Sequence, residues 1–310
     1  MKVGKRLIKI ADHTVNLMVL VICFLLLSYG CYAMWDSQQL YEAAGTIQYE
    51  QYKPTKKDTL SFEELKKMNP EVFGWLTVYG TNMDYPLVQG ADNSKYVNTD
   101  AKGNYALSGS LFLDYRNKSD FTDFNSIIYG HHMDKQVMFG EIADFKDESY
   151  FDSHRYGKLY YGGQDHGLEF FAFLEVDASG AIYSPGIQGV EEAGTYLNQI
   201  LSASIHTRDI NLTESEHLVL LSTCTSDVTN GRHVLVGRLT EDVQEDSFAK
   251  EEQDRQLTGI DTQSLWSSFC RLPVWQRTIL ILMILILLLI LVGVSLKGLK
   301  TYRRRRREKK

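Results

Sequence analysis

Two long apolar stretches constrain this chain more than any other feature of its sequence. Residues 13–35 and 278–296 contain no Asp, Glu, Lys or Arg over 23 and 19 residues respectively. At about 1.5 Å of rise per residue, a helix of either length crosses a hydrocarbon core of about 30 Å. We therefore predict two transmembrane helices, which excludes a fully soluble cytoplasmic protein. A cleaved signal peptide is the alternative for the first stretch, but its apolar run exceeds the usual ~7–15 residues and no A-x-A site follows.

The charged residues beside these stretches predict which way the chain crosses the membrane. Thirteen of the 33 basic residues, but only two of the 39 acidic ones, lie in the terminal segments 1–12 and 297–310. Residues 36–277 consequently carry 20 basic and 37 acidic side chains, a formal charge of −17. By the positive-inside rule, both termini are cytoplasmic basic tails and the acidic middle lies outside the cell. A stop-transfer flank accounts for the Arg-rich C-terminus without a nucleic-acid partner.

The extracellular part divides into one domain and two polar connections. Residues 36–58 are polar without a clear hydrophobic period and are predicted to form a stalk. Residues 241–277 begin with an acidic run and are predicted to form a linker to the second membrane helix. The domain between them, residues 59–240, contains no internal repeat and no low-complexity block.

Short β-strands dominate the predicted domain. Ser61 and Glu64 predict a capping box that begins a short helix, and Asn69 and Pro70 end it. Clusters of β-branched and aromatic residues between turn signals predict strands at 75–79, 126–129, 158–161, 168–176, 218–223 and 232–239, and helical patterns interrupt them at 138–145 and 190–204. Many short strands with few helices favour a closed or nearly closed β-barrel decorated by helices. The aromatic residues of 168–176 are assigned to its packing.

Cysteine usage leaves one thiol in this domain. Cys23 and Cys31 lie in the first apolar stretch, and Cys270 lies beside the second. Cys224 therefore has no partner within the domain for an internal disulfide. A lone extracellular thiol is an oxidation liability, so Cys224 is either buried and inert or kept for its chemistry.

Three reactive side chains stand at the ends of apolar strands. The run HLVLLSTC ends at Cys224, the next strand begins at Arg232, and SIIYGHHM turns through Gly130 into His131. If the two later strands pair antiparallel, Cys224 and Arg232 face each other at one end of the sheet. A free cysteine has a pKa of about 8.5, so a thiolate needs a neighbouring base or cation. An imidazole could supply it and later donate a proton, and a guanidinium could stabilise an oxyanion.

The same pattern fits less reactive interpretations. A buried inert cysteine at a strand end, a structural histidine pair and a solvated arginine are all common. One cysteine and two adjacent histidines, however, do not form the usual spaced ligand set of a metal site. On spacing alone, these alternatives stay open.

A resemblance to a known family bears on these alternatives. The runs NPEVFGWLTVYGTNMDYPLVQG, SGSLFLDYRN, DFNSIIYGHHM, MFG and LLSTC occur in this order, and GR follows with its arginine eight residues after the cysteine. Together they resemble class B sortases, membrane-anchored cysteine transpeptidases of Gram-positive bacteria, across residues 59–240. The resemblance implies an eight-stranded β-barrel with an N-terminal helical segment and a helix before the cysteine-bearing strand. The helices predicted at Ser61 and Val190 match these two additions.

The resemblance also implies catalytic roles for three residues. Cys224 corresponds to the nucleophile, in a motif where Leu220 replaces the usual threonine. His131, the first histidine of YGHHM, rather than His132, corresponds to the general acid and base. Arg232 corresponds to the arginine that stabilises the oxyanion, and Arg238 does not because it lies further along the strand.

Further residues are expected beside the substrate by the same resemblance. They are Ser222 and Tyr129, and more weakly Asn93 and Val97. Loops such as 177–189 are expected to shape the groove that selects the sorting signal. No metal or organic cofactor is required.

The implied reaction begins with attack of the Cys224 thiolate on the threonine carbonyl of a C-terminal sorting signal, NPxT-like by resemblance. Arg232 stabilises the oxyanion, and His131 protonates the departing amine as a thioester forms. An amine of the peptidoglycan precursor lipid II, or a lysine of a pilin subunit, then resolves the thioester. The protein partners are thus secreted proteins that carry a sorting signal.

Two questions stay open at this level. A C-terminal membrane helix is more usual in the pilin-polymerising class C sortases, whose lid carries an Asp-Pro-aromatic tripeptide, and none precedes this barrel. The second apolar stretch is therefore either an extra anchor or a sign of a pilus role. A catalytically silent scaffold and a plain cysteine protease are the alternatives to a transpeptidase, and the joint presence of Cys224, His131 and Arg232 favours an enzyme.

Overall fold

The computed structural model describes residues 2–55, 59–133, 135–187, 189–224 and 231–249, and for Cys224 it describes the backbone. The second apolar stretch at 278–296, the C-terminal tail and all but the first residues of the acidic linker lie outside these described residues.

The first apolar stretch is part of one long helix, α1 (Lys2–Ala44). Within the described residues, Thr14–Tyr41 is the one helical segment long and apolar enough to cross a membrane. Its large apolar side chains are exposed, as lipid contact requires. The helix extends through the first part of the predicted stalk. Residues 36–44 of that stalk are therefore helical. Ala44 at the end of the helix and Tyr49 beyond it are buried against the domain.

The remaining elements are three helices and eleven strands in the described residues. The helices are α2 (Leu60–Met68), α3 (Glu148–Ser153) and α4 (Val190–Ala203), with short 3-10 helices at Thr46–Gln48, Glu50–Tyr52, Lys95–Val97, Gly140–Lys146 and Ala181–Tyr183. The strands are β1 (Val72–Val78), β2 (Asp84–Val88), β3 (Leu111–Leu113), β4 (Asn125–Tyr129), β5 (His132–Met133), β6 (Val137–Met138), β7 (Tyr156–Tyr161), β8 (Gln164–Asp177), β9 (Ser204–Thr207), β10 (Leu218–Cys224) and β11 (Gly231–Thr240).

Eight of the described strands close into a barrel. Their order is β11-β10-β4-β3-β2-β1-β7-β8, and β8 pairs with β11 to complete the circle. Strand β9 adds to the outer side of β8, and β5 and β6 form a separate hairpin. The pairs β4–β10 and β2–β3 are parallel, whereas the other neighbouring pairs are antiparallel. The predicted eight-stranded barrel is confirmed.

Strand β8 has a hydrophobic core on each of its faces. Phe170 and Phe173 belong to the larger core inside the barrel, and Phe171 belongs to a second core that α4 covers. A strand buried on both faces requires a nearly continuous apolar run, which the predicted packing role of these aromatic residues anticipated. Leu220 on β10 also lies fully buried in the second core, so the departure from the family motif is accommodated by packing.

The start of α2 corrects one prediction. Its N-cap is Thr59, no side chain caps it, and Ser61 lies inside the helix, so the predicted capping box is wrong. Packing decides the start, because Phe62 is buried at 5.3 Å from the Tyr160 ring centroid and must face the barrel. The predicted end is correct, since Asn69 is the C-cap.

Candidate active site

Three strand ends meet at one end of the barrel. Ser222 of β10 lies opposite Tyr129 of β4 in a parallel pair. Cys224, the last residue of β10, lies opposite Arg232 in the antiparallel pair with β11. The antiparallel pairing expected from the sequence is confirmed, and it brings the backbone of Cys224 beside that of Arg232.

A tight turn leads from β4 to His131. The Gly130 N–H donates to the Ser222 carbonyl at 3.2 Å, which ties the turn to β10. A Cβ on Gly130 would lie 2.4 Å from Leu111 Cδ2 and 2.6 Å from Phe139 Cδ2. Only glycine fits this close approach, and the turn it permits carries His131 over the barrel end.

A cleft of about 330 Å³ opens at this end. Its walls contain Asn93, Val97, Phe112, Tyr129, Gly130, His131, Ser222, Thr223 and Arg232. The structure therefore brings together all the site residues expected from the sequence whose side chains it describes. Cys224 directly follows Thr223 of the wall.

The two adjacent histidines have different surroundings. His131 is half-buried in the cleft wall, and its Nε2 lies 2.8 Å from the Val97 carbonyl oxygen. Because a carbonyl only accepts, Nε2 carries the proton and donates. His132 belongs to β5 and pairs with Met138, and within the described residues its buried Nδ1 has no hydrogen-bond partner.

The two candidate arginines of β11 also differ. Arg238 forms ion pairs with Glu169 at 2.5 Å and Glu216 at 3.5 Å. Arg232 lines the cleft and donates from Nη1 to the Gly231 carbonyl at 3.0 Å. Among the described residues no carboxylate forms an ion pair with Arg232, so its positive charge faces the cleft uncompensated by that part of the chain.

A buried carboxylate that sequence reasoning missed supports the polar wall of the cleft. The Asp114 side chain is completely buried and accepts from Arg116, Asn93 and Tyr129. Burial raises the pKa of Asp114, but the hydrogen bonds from Arg116 and Asn93 outweigh it and hold that pKa below its usual range. Burial and the nearby Asp114 charge raise the pKa of Tyr129. The signal was present in the run SGSLFLDYRN, where an acid and a base stand two residues apart after an apolar strand.

Tyr183 is a second residue that sequence reasoning did not single out. It lies on the loop 177–189 and its hydroxyl is 2.8 Å from Ser222 Oγ. Its ring stacks on Tyr129 with centroids 6.3 Å apart. The loop expected to shape the groove thus contacts two of the expected substrate-binding residues through this one side chain.

Comparison with known proteins identifies the family. No family model matches the chain. A curated relative from Listeria monocytogenes, sortase B, is 32% identical over 178 residues, which is 57% of this chain and 72% of the relative. The chain belongs to the class B sortases. Its activity is accordingly that of a cysteine transpeptidase.

Solved class B sortases share the fold of this sortase's barrel. Sortase B from the type II pilus of Streptococcus pneumoniae is 51% identical with a TM-score of 0.52, covering 58% of this chain and 99% of that one. A Streptococcus pyogenes class B sortase involved in pilus biogenesis is 40% identical with a TM-score of 0.53, covering 57% and 97%. The matched share corresponds in size to the domain without α1 and the C-terminal segments.

The arrangement in this sortase suits acyl transfer. A peptide bound in the cleft would meet a cation at Arg232 and an imidazole proton donor at His131, beside the strand end that bears Cys224. These are the groups that a thiol nucleophile needs for a tetrahedral oxyanion and a departing amine.

Proposed function

We propose that this sortase cleaves a C-terminal sorting signal, NPxT-like, after its threonine and transfers the protein to an amine. Cys224 is the nucleophile, Arg232 stabilises the oxyanion and His131 is the general acid and base. Ser222, Tyr129, Asn93 and Val97 contact the bound signal. The observation that carries the proposal is the pairing of Cys224 with Arg232 at the barrel end whose cleft contains His131.

The reaction proceeds in two balanced steps. In the first, the Cys224 thiolate adds to the threonine carbonyl, and the C–N bond breaks as His131 donates a proton to the leaving amine. This leaves a thioester and an amine-terminated peptide. In the second, an acceptor amine adds to the thioester carbonyl while His131 accepts its proton, and the thiolate leaves as a new amide forms.

The position of the Nε2 proton of His131 supports its role as acid. His131 Nε2 lies 2.8 Å from the Val97 carbonyl oxygen, so its proton points to that oxygen, and Val97 itself lines the cleft. A leaving amine placed beside Val97 gives this proton a new acceptor, and the ring donates it as the imidazolium that forms when Cys224 becomes a thiolate.

The acceptor amine is proposed to be a pilin lysine, with the amine of lipid II as the alternative. The proposal is supported by the solved relatives at 51% and 40% identity, which are named for a pilus and for pilus biogenesis. Their identities exceed the 32% of the sortase B from Listeria monocytogenes.

The enzyme is further proposed to sit in the cell membrane with two spans, both termini cytoplasmic and the barrel outside. The helical span Thr14–Tyr41 supports the first crossing. The basic flanks and the −17 charge of residues 36–277 support the orientation.

The function is tested with the full chain in detergent and quenched peptides that carry NPxTG-like or LPxTG-like signals. Each peptide is assayed alone, with a pilin-derived lysine peptide and with a cross-bridge amine. We expect amine-ligated product from the wild-type enzyme and none from Cys224→Ala. Cys31→Ala, which removes an exposed cysteine of α1, is the matched control and keeps full activity.

Two outcomes would contradict the proposal. Cleavage that survives in Cys224→Ala would remove Cys224 as nucleophile. If adding an amine changes neither the cleavage rate nor the product, the enzyme hydrolyses the sorting peptides as a cysteine protease and does not transfer them.

A further inference from the structure

We infer that Asp114 is a positioning residue that holds Asn93 and Tyr129 in the orientations in which they meet the substrate peptide. The inference rests on the proposed function, because it assigns a support to two of the proposed substrate contacts. Asp114 itself is not part of the cleft wall.

Asp114 is a fully buried charge whose oxygens are satisfied by named donors. Oδ1 accepts from the Arg116 backbone N–H at 3.0 Å and from Arg116 Nε at 2.9 Å. Oδ2 accepts from Arg116 Nη2 at 2.8 Å, Asn93 Nδ2 at 3.0 Å and the Tyr129 hydroxyl at 3.1 Å. Arg116 balances the charge, which a carboxylate without exposure to water requires.

These contacts fix which way the Asn93 amide points. Its Nδ2 donates to Asp114, and its Oδ1 accepts from the Tyr115 backbone N–H at 3.0 Å. A carboxylate only accepts and a backbone N–H only donates, so a flipped amide would lose both bonds. One N–H of Asn93 is left for the cleft.

The contact with Asp114 also sets the role of the Tyr129 hydroxyl. Its proton is committed to Asp114 Oδ2, so its oxygen can offer only lone pairs to the cleft. The wall thus presents a donor at Asn93 and an acceptor at Tyr129. This is the pair that a peptide amide group, in the backbone or in a side chain, requires.

The Asp114 side chain is not needed to hold its own strand end. The Asp114 N–H donates to the Ile127 carbonyl at 2.9 Å, and its carbonyl accepts from Gln89 Nε2 at 3.0 Å. Both bonds are independent of the carboxylate. Asp114→Asn therefore preserves these backbone bonds. It removes the charge and leaves one acceptor oxygen for the five donors of Arg116, Asn93 and Tyr129 that the carboxylate accepts from.

The experiment is a double-mutant cycle of Asp114→Asn and Asn93→Ala in the full chain, with a sorting peptide and an amine. Losing a hydrogen bond to a charged group costs a factor of about 10 or more, so we expect Asp114→Asn to raise KM about 10-fold with kcat nearly unchanged. Asn93→Ala should then add little in the Asp114→Asn background, because Asp114 acts through Asn93. The cycle is run with two peptides, one with and one without a side-chain amide in the signal. The comparison shows whether Asn93 and Tyr129 bind a side-chain amide or a backbone amide of the peptide.

Asp123→Asn is the matched control. Asp123 accepts from Asn117 Nδ2 at 3.0 Å and the Lys118 N–H at 2.8 Å, outside the cleft wall. It should leave KM unchanged. Additive losses in the cycle, or an equal KM rise in Asp123→Asn, would overturn the inference.

A second measurement needs no turnover. Hydrogen–deuterium exchange at the Tyr115 amide reports whether its hydrogen bond to Asn93 Oδ1 is kept. This exchange should be faster in Asp114→Asn than in the wild type. Unchanged exchange overturns the inference whether or not the enzyme is active. A wild-type enzyme that cleaves no sorting peptide would instead contradict the proposed function alone.

Discussion

At the scale of single residues, two pairs of chemically identical side chains differ in their surroundings. Arg232 and Arg238 lie on the same strand, yet only Arg238 has carboxylate partners among the described residues. The same contrast divides His131 in the cleft wall from His132 in its hairpin. These differences in contacts support the roles proposed for Arg232 and His131.

Arg232→Ala and Arg238→Ala are expected to fail in different ways. Removing the proposed oxyanion donor should lower kcat by about 10²–10³-fold with no change in melting temperature. Arg238→Ala should cost about 1–3 kcal/mol of unfolding free energy, because it leaves buried Glu169 short of a partner, with kcat retained in the folded fraction. Peptide cleavage kinetics and thermal melts of both variants check this, and full activity of Arg232→Ala would contradict it.

Glu141 is expected to make the stability of the protein depend on pH. Burial raises its pKa from 4.5 to about 7, although Asn82 donates to it from its backbone at 2.5 Å. The folded state therefore binds the proton more tightly than the unfolded chain, so this stabilisation is present below about pH 4.5 and is lost as pH rises through about 7. We expect the melting temperature to fall from pH 5 to pH 8.

Glu141→Gln should flatten that fall, since it removes the titrating group. Glu148→Gln, at an exposed position on α3, is the matched control and should leave the fall as in the wild type. Thermal melts at several pH values decide it, and an equal slope in wild type and Glu141→Gln would show that Glu141 is not the source.

At the scale of elements, strand ends and turns determine the site more than the strands themselves. The parallel pair β4–β10 and the antiparallel pair β10–β11 finish at the same barrel end. The turn at Gly130 then redirects the chain so that His131 lies in the cleft wall. The site is therefore sensitive to the geometry of a single residue between two elements.

Gly130→Ala is expected to damage both stability and activity. The added Cβ would come within 2.4 Å of Leu111 Cδ2 and 2.6 Å of Phe139 Cδ2. Because both side chains are buried in the core, either they repack or the turn that carries His131 moves. We expect a loss of about 1–3 kcal/mol in unfolding free energy. We also expect kcat to fall in the fraction of the protein that stays folded. Gly194→Ala on α4 is the control, because its Cβ has ordinary contacts and should stabilise the helix by about 0.5–1 kcal/mol. Denaturant unfolding and peptide cleavage measure both, and an active, fully stable Gly130→Ala would refute this account of the turn.

At the scale of the whole molecule, α1 connects the apolar segment Thr14–Tyr41, which is long enough to cross a membrane, to the described part of the domain. The helix ends at Ala44, which is buried, and Tyr49 follows into the core. At the tip of the β5–β6 hairpin, Lys135 places its Nζ 4.2 Å from the Tyr41 ring centroid. The hairpin that follows His131 thus lies beside the end of the apolar span.

The proposed orientation predicts protection of both termini in intact cells. With an epitope tag at each end, external protease should digest the barrel and leave both tags inside the membrane barrier. The basic flanks at 1–12 and 297–310 are the physical reason. Digestion of the C-terminal tag would show that the second apolar stretch does not cross the membrane, and digestion of the N-terminal tag would reverse the first span.

Several features could be predicted from the sequence because their signals are local. Apolar length predicted the long apolar helical segment of α1, and clustered β-branched and aromatic residues predicted the longer strands. Ordered motifs carried the resemblance that implied the roles of Cys224, His131 and Arg232. Strands β2 and β3 were not predicted, because Pro86 interrupts one and the other has only three residues.

Other features were decided only by the tertiary structure, because they depend on contacts between residues far apart in the chain. Packing of Phe62 on the barrel, not the capping pattern, set where α2 begins. Barrel closure and strand register brought Asn93, Asp114 and Tyr129 into one hydrogen-bonded group. A buried charge can be stable only where such distant donors converge. The sequence by itself therefore determined which reactive groups end the strands, and the closed barrel decided which other side chains orient the groups around them.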